Sequence, residues 1–406
     1  MKKSVFVALS MACALPATAD TADGNALIGQ DWDSVQATAR GGEVNFFMWG
    51  GADNINAYVA DYIGTILRED YGVTLNLVPL TDTTEAVNLV LGEKEAGNLD
   101  SGAVDLIWIN GENFRTMKQG GLAWCGYLET LPNNALIDWD NPAIANDFGV
   151  PVEGCEVPWS RTQFAFAHDA ARLAAPPQTI AELLDWVRAN PGQFTYPAPP
   201  DFTGAVFVRH MFYHVAGGVD TLLGDFDAAR FDAVATQTWA LLNDLEPYLW
   251  REGRTYPTSV VQMNELFANT EVQFTFNYEP SQFGIGVEAG LYPDTVRSYG
   301  LADGTIGNTN YTIIPFNSPN KAAALVAQNV MLSAQAQLEK ARPEVWGANP
   351  AIEMTRTAPG VQAEFAALPS HPSVVPAADL AQNALPELQA GWISAIERGW
   401  IENVGN

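Results

Sequence analysis

The chain has 406 residues, 48% of them apolar and only 17% charged, so a large core can be filled and a disordered or collagen-like class is excluded. Acidic residues outnumber basic ones 47 to 20, for a formal net charge of −27, which repels nucleic acid and anionic lipid over long range. Neither is expected as a partner; the field favours a cationic ligand, although acidity also serves solubility.

Lys2 and Lys3, the apolar run from Val5 to Leu15 and the small residues Ala17-Thr18-Ala19 before Asp20 have the layout of a secretory signal peptide over residues 1–19. The run is too short to anchor the chain in a membrane. Ser10 stands where a lipid-attachment motif at Cys13 would need a large aliphatic residue. A periplasmic, unanchored mature protein is the expectation. Export leaves Cys125 and Cys155 as an even pair in an oxidising compartment, so a disulfide is expected between them. The four histidines are not spaced with these cysteines as a zinc set, and no metal or cofactor is expected.

A short helix over 31–40 precedes a β-run, Glu43 to Met48, which breaks at Trp49-Gly50-Gly51. Asp53-Asn54 can cap a helix to about 70. A second apolar run, Val73 to Val78, leads to a helix through about 96. A third, Val104 to Ile109, ends at Asn110-Gly111-Glu112-Asn113-Phe114 and a helix to Gln119. Nearly continuous apolar strands alternating with helices predict a parallel sheet covered on both faces, whose ligands collect at the carboxyl ends of the strands. Residues 125–160 read as loop, and Gln163 to His168 as a strand returning through the molecule. A second α/β set follows: a helix over 179–189, a strand at Gln193 to Tyr196, helices over 205–215, 228–246 and 258–268, and a strand from Val272 to Asn277. A last strand, Tyr311 to Pro315, runs through Asn317-Ser318-Pro319-Asn320 into a helix, and the final 70 residues look mainly helical.

With the WGG turn at 49–51, NGENF at 110–114, Pro158-Trp159-Ser160 before the returning strand and NSPN at 317–320, the chain resembles the solute-binding proteins of bacterial ABC importers, in particular the YnjB-type group. The resemblance implies an α/β fold of type 2 periplasmic binding protein architecture. Each of its two lobes would be a mainly parallel sheet flanked by helices, the two joined by crossing hinge strands. Lobe one would hold residues 20–160 and 311–406, lobe two residues 161–310. It further implies a small-molecule ligand held between the lobes, release to membrane permease subunits, and action as a monomer. The iron-binding relatives use paired tyrosines, and no adjacent pair occurs here.

Site candidates lie at the strand ends. Trp49 can offer a stacking face and Gly50 and Gly51 close backbone approach, against the alternative of a tight turn over a core tryptophan. Asn110, Gly111, Glu112 and Asn113 open a helix, where a carboxylate also suits the positive helix end on its own account; the resemblance favours ligand contact. Trp159 and Gln163 lie where the crossover passes the cleft. Asp201, Phe202 and Thr203 open a second-lobe helix, with an ordinary N-cap as the alternative, and Tyr278 and Glu279 end the next strand. Acids with aromatics suit a small organic cation, amine-like or thiamine-like; a sugar, which stacks on tryptophan, is the alternative ligand. His210 and His214, four apart, lack the glutamate of a metalloprotease motif and read as surface or packing residues. A secreted hydrolase using Glu112 and Asp201 as an acid/base pair is the competing class, but no nucleophile elbow, P-loop or dinucleotide turn accompanies them, so no enzyme is expected.

Overall fold

A computed structural model describes residues 24–404. The expected signal peptide over residues 1–19 lies outside them.

Eight strands carry the fold: β1 (Glu43–Trp49), β2 (Thr74–Leu80), β3 (Leu106–Ile109), β4 (Glu156–Gln163), β5 (Ala165–Asp169), β6 (Phe274–Asn277), β7 (Val296–Tyr299) and β8 (Thr305–Ile313). The larger sheet has the order β2-β1-β3-β8-β4, extended beyond β4 by Asn349–Pro350. β1 pairs in parallel with β2 and β3, whereas β8 runs antiparallel to both β3 and β4. Val44, Phe46 and Leu106 pack into one core, and Ile107, Ile109 and Ile313 into another on the opposite face. Burial of β3 on both faces, and partial burial of the second face of β1, explain why these strands read as largely apolar runs.

The smaller sheet departs from the expected parallel pattern. Its central strand β5 is antiparallel to β6 on one side and to β7 on the other. The expected strand at 193–196 is extended chain outside the sheet. Its backbone is still used: Gln193 and Phe194 carbonyls accept from the Gln273 and Trp250 N–H groups at 2.9 and 2.8 Å. The stretch expected to be loop up to 160 contains β4, and β8 begins six residues before the expected strand. β4 continues through Phe164 into β5, and β7 returns through residues 300–304 to β8, so both crossing strands pass from one sheet to the other.

Four helices frame the space between the sheets: α1 (Gly111–Gln119), α2 (Phe202–Ala216), α3 (Ala334–Ala341) and α4 (Ala390–Asn403). α4 differs from the expectation that everything after 311 returns to the first lobe. Its Trp392, Ile393, Ile396 and Trp400 join the core built on the smaller sheet, because one apolar stripe of this helix faces α2 and the helix at Ala228–Leu245.

Cys125 and Cys155 form the expected disulfide, closing a loop of sequence separation 30. Replacing both by alanine is expected to lower the unfolding free energy by roughly 3 kcal/mol on the chain-entropy model. Urea unfolding curves of the oxidised protein and the double variant measure it.

Candidate functional site

The NGENF turn is built around a left-handed Gly111, with φ +63°. Only glycine takes that conformation without strain, and it turns the Gly111 N–H onto both carboxylate oxygens of Asp147, at 2.9 and 2.8 Å. Asp147 is buried, and burial lifts its carboxyl well above the usual range; the Gly111 N–H opposes this, and the charges of Glu112 and Glu387 add to it. Asn110 donates to Asn310 Oδ1 at 3.1 Å, and Asn310 donates to Ser160 Oγ at 3.0 Å. A register shift in β8 after Asn310 accompanies this bridge; such bulges re-aim side chains. The turn after β3 is thereby tied to both crossing strands.

From the second lobe, Asp201 caps α2 through Gly204 N at 2.8 Å and also accepts from Val260 N at 3.2 Å. Gly204 is required here, since a Cβ would lie 2.0 Å from the Pro197 carbonyl oxygen. Along α2, Arg209 is 1% exposed and bonds Glu387 Oε1 at 2.9 Å. Tyr278 donates to the same oxygen at 2.6 Å. The Phe202 ring lies 5.1 Å from Tyr278 and 6.0 Å from the Arg209 guanidinium. Helix α4 adds Glu397, whose carboxyl is pushed up to about 8 by burial and by the charges of Glu112, Asp82 and Glu387, against the pull of Arg209. Burial likewise raises Glu112, against the pull of its own backbone N–H and of Arg209. One arginine thus stands among acids from two helices, α1 and α4, and from the segment at Glu387, drawn from both lobes. Its charge is already met by Glu387, whose second oxygen is buried without a partner.

A model of bacterial extracellular solute-binding proteins matches residues 57–369. Protein YnjB of Escherichia coli K12 is 37% identical over 375 residues, 92% of this chain and 94% of that protein. The chain belongs to the bacterial extracellular solute-binding protein family. Members capture small molecules outside the cytoplasm and deliver them to the permease subunits of ABC importers; they are transport proteins, not enzymes. The fold agrees. The spermidine/putrescine substrate-binding protein PotD of Streptococcus pneumoniae superposes with TM-score 0.62 at 12% identity, covering 89% of this chain and 98% of that one. The Atu4243 GABA receptor does so with TM-score 0.61 at 16% identity, covering 88% and 96%.

Within this solute-binding architecture the expected site residues separate. Gly111, Glu112, Phe202 and Tyr278 gather at the acid cluster. Asn113 accepts from Thr84 Oγ1 at 3.2 Å, and Thr203 is buried in the first turn of α2. Glu279 sits deeper. Burial raises its carboxyl to about 8 against the opposing charge of Lys340. Lys340 is itself wholly buried on α3 and lowered to about 7 by that burial, with its Nζ 5.7 and 5.6 Å from the Trp159 and Trp346 ring centroids. Trp159, 1% exposed, packs in the first-lobe core with its ring 4.9 Å from that of Trp108. Gln163 is used up in the hinge, donating to Thr305 Oγ1 at 3.0 Å and the Leu380 carbonyl at 2.8 Å. At the first turn, Cβ atoms on Gly50 and Gly51 would lie 2.6 Å from Pro79 and 2.1 Å from the Trp49 ring, so packing accounts for both glycines. The 317–320 motif is also structural: Ser318 and Asn320 donate to buried Asp105 at 2.7 and 3.3 Å.

His210 has both ring nitrogens engaged, Nδ1 with the Val206 carbonyl at 2.8 Å and Nε2 accepting from Ile306 N at 3.2 Å. Burial lowers it to about 4, in keeping with a neutral packing role. Among the described residues no group of three metal-ligating side chains is arranged to hold an ion.

Sequence reasoning missed Glu387, Glu397 and the pairing of Arg209. One signal was available: Arg209 is the single cation in the apolar run Ala205–Phe212, and a buried arginine demands a counter-charge. Its partner, 178 residues away, leaves no trace in spacing.

Proposed function

We propose that the chain captures a small organic cation, amine-like or thiamine-like, between the two lobes and hands it to the permease of an ABC importer. It would do so as a monomer exported through cleavage after Ala19. The observation that carries this reading is the surplus of acid where the lobes meet. Glu112, Glu387, Glu397, Asp147 and Asp82 act on one another there, with Arg209 as the opposing charge and Phe202 and Tyr278 alongside. Glu112, Asp147 and Glu397, whose carboxyls burial lifts, gain most from a cation that desolvates with them, and aromatic faces add cation–π attraction. The named ligands of the two structural relatives, spermidine/putrescine and GABA, carry ammonium groups, which is compatible chemistry.

A thermal-shift panel of amines, thiamine, neutral sugars and anions tests it. A cation at 100 times its Kd is expected to stabilise the protein by about 2.7 kcal/mol. A panel in which only a sugar or an anion raises the melting temperature sinks the cation reading.

A further inference from the structure

The disulfide-closed segment between Cys125 and Cys155 ends in a small hairpin, Asn146–Asp147 paired with Val150–Pro151. Its neighbours in sequence belong to the first lobe: Ile144 packs in one of that lobe's cores, and Val152 and Cys155 in the other. Phe148 does not. Its ring is 4% exposed and belongs to the core of the second lobe, 6.3 Å from Phe202 at the start of α2. Phe148 and Gly149 form the two-residue loop of the hairpin, at φ +45° and +71°, the positive values such a turn requires. A bulky residue is uncommon at that turn position, and here its ring is buried instead of facing solvent. The adjacent Asp147 holds the Gly111 N–H, and the next residue, Gly149, lies against Gln389. One hairpin therefore touches the NGENF turn, the start of α2 and the segment leading into α4.

We propose that Phe148 is a closure wedge: a first-lobe side chain whose ring fills a second-lobe socket only when the lobes are shut, while Asp147 carries that state to the turn at Gly111. This goes beyond the choice of ligand, because the contact is made by the protein with itself and biases the open–closed equilibrium before any solute arrives. The residue is a positioning group and touches no solute. When the lobes part, the ring leaves Phe202 while the hairpin keeps its turn, so the packing gained on closure is what biases the equilibrium.

The test uses the ligand-free, oxidised full chain and the variants Phe148→Ala, Phe148→Leu and Phe148→Tyr, with small-angle scattering for overall dimensions and hydrogen exchange for local opening. Phe148→Ala is expected to raise the radius of gyration and to speed exchange at residues 110–113 and in the first turn of α2 by roughly tenfold. Phe148→Tyr should restore both, and Phe148→Leu should fall between. Unchanged dimensions and exchange in Phe148→Ala overturn the proposal. So does faster exchange spread equally over β5 and β6, since the ring would then be ordinary core of the second lobe. Should Phe148→Ala not fold, Phe148→Leu carries the same comparison.

Discussion

Replacing Arg209 by methionine is expected to destabilise the protein by about 3–5 kcal/mol, the range for breaking a buried ion pair by removing one partner. Both side chains of the pair are nearly sealed from water, at 2.9 Å separation. Losing the guanidinium leaves Glu387 with the Tyr278 hydroxyl as its remaining donor, in a neighbourhood that already holds Glu112, Asp147 and Glu397. The uncompensated carboxylate, more than the lost bond, dominates the cost. Urea unfolding of Arg209→Met, Glu387→Gln and the double variant separates the terms. The double variant should recover a large part of the loss, because no buried charge is stranded. Arg209→Lys should recover part of the loss, since a single nitrogen, Nη2, meets both Glu387 at 2.9 Å and Tyr278 at 3.4 Å. Additive single losses in the double variant would show that the two groups do not act as a pair.

What the sequence allowed to be read follows the same division between local and distant causes. The strands β1 and β3 were readable because β3 is buried on both faces, β1 is buried on one and half-buried on the other, and each stands as a largely apolar run ending in a turn. β8 was half hidden. Its first six residues, Thr305 to Asn310, are largely polar because a crossing strand satisfies hydrogen bonds where a sheet strand would fill a core. Gln163 bonds to Thr305, and Asn310 links Ser160 to Asn110. The antiparallel small sheet could not be told from a parallel one, since β5 and β6 are equally apolar in either direction. At the site, Glu112 and Tyr278 were accessible from strand ends and motif. Glu387 and Glu397 come from a C-terminal segment that returns to the second lobe, and no local pattern announces that return.

The affinity for a permanently charged cation is expected to rise with pH up to about 8 and then level, by at most roughly tenfold per pH unit for each proton released. Glu397 sets the window. Burial and neighbouring acids hold its carboxyl near 8, so at pH 7 it is mostly protonated. A cation beside Glu397 favours the carboxylate and must expel that proton, which becomes easier as the solution becomes more alkaline. Stability of the ligand-free protein runs the other way for this group. Its raised value means that its contribution is complete below the ordinary carboxylate value of 4.5 and is lost as pH rises through about 8. The ligand should therefore stabilise most where the empty site is under greatest strain. Glu397→Gln should flatten the pH profile, and Glu112→Gln should weaken the cation by about tenfold to a hundredfold. Calorimetry in two buffers of different ionisation enthalpy measures the proton count directly. A binding cation that releases no proton between pH 6 and 8 would remove the acid cluster from the ligand site.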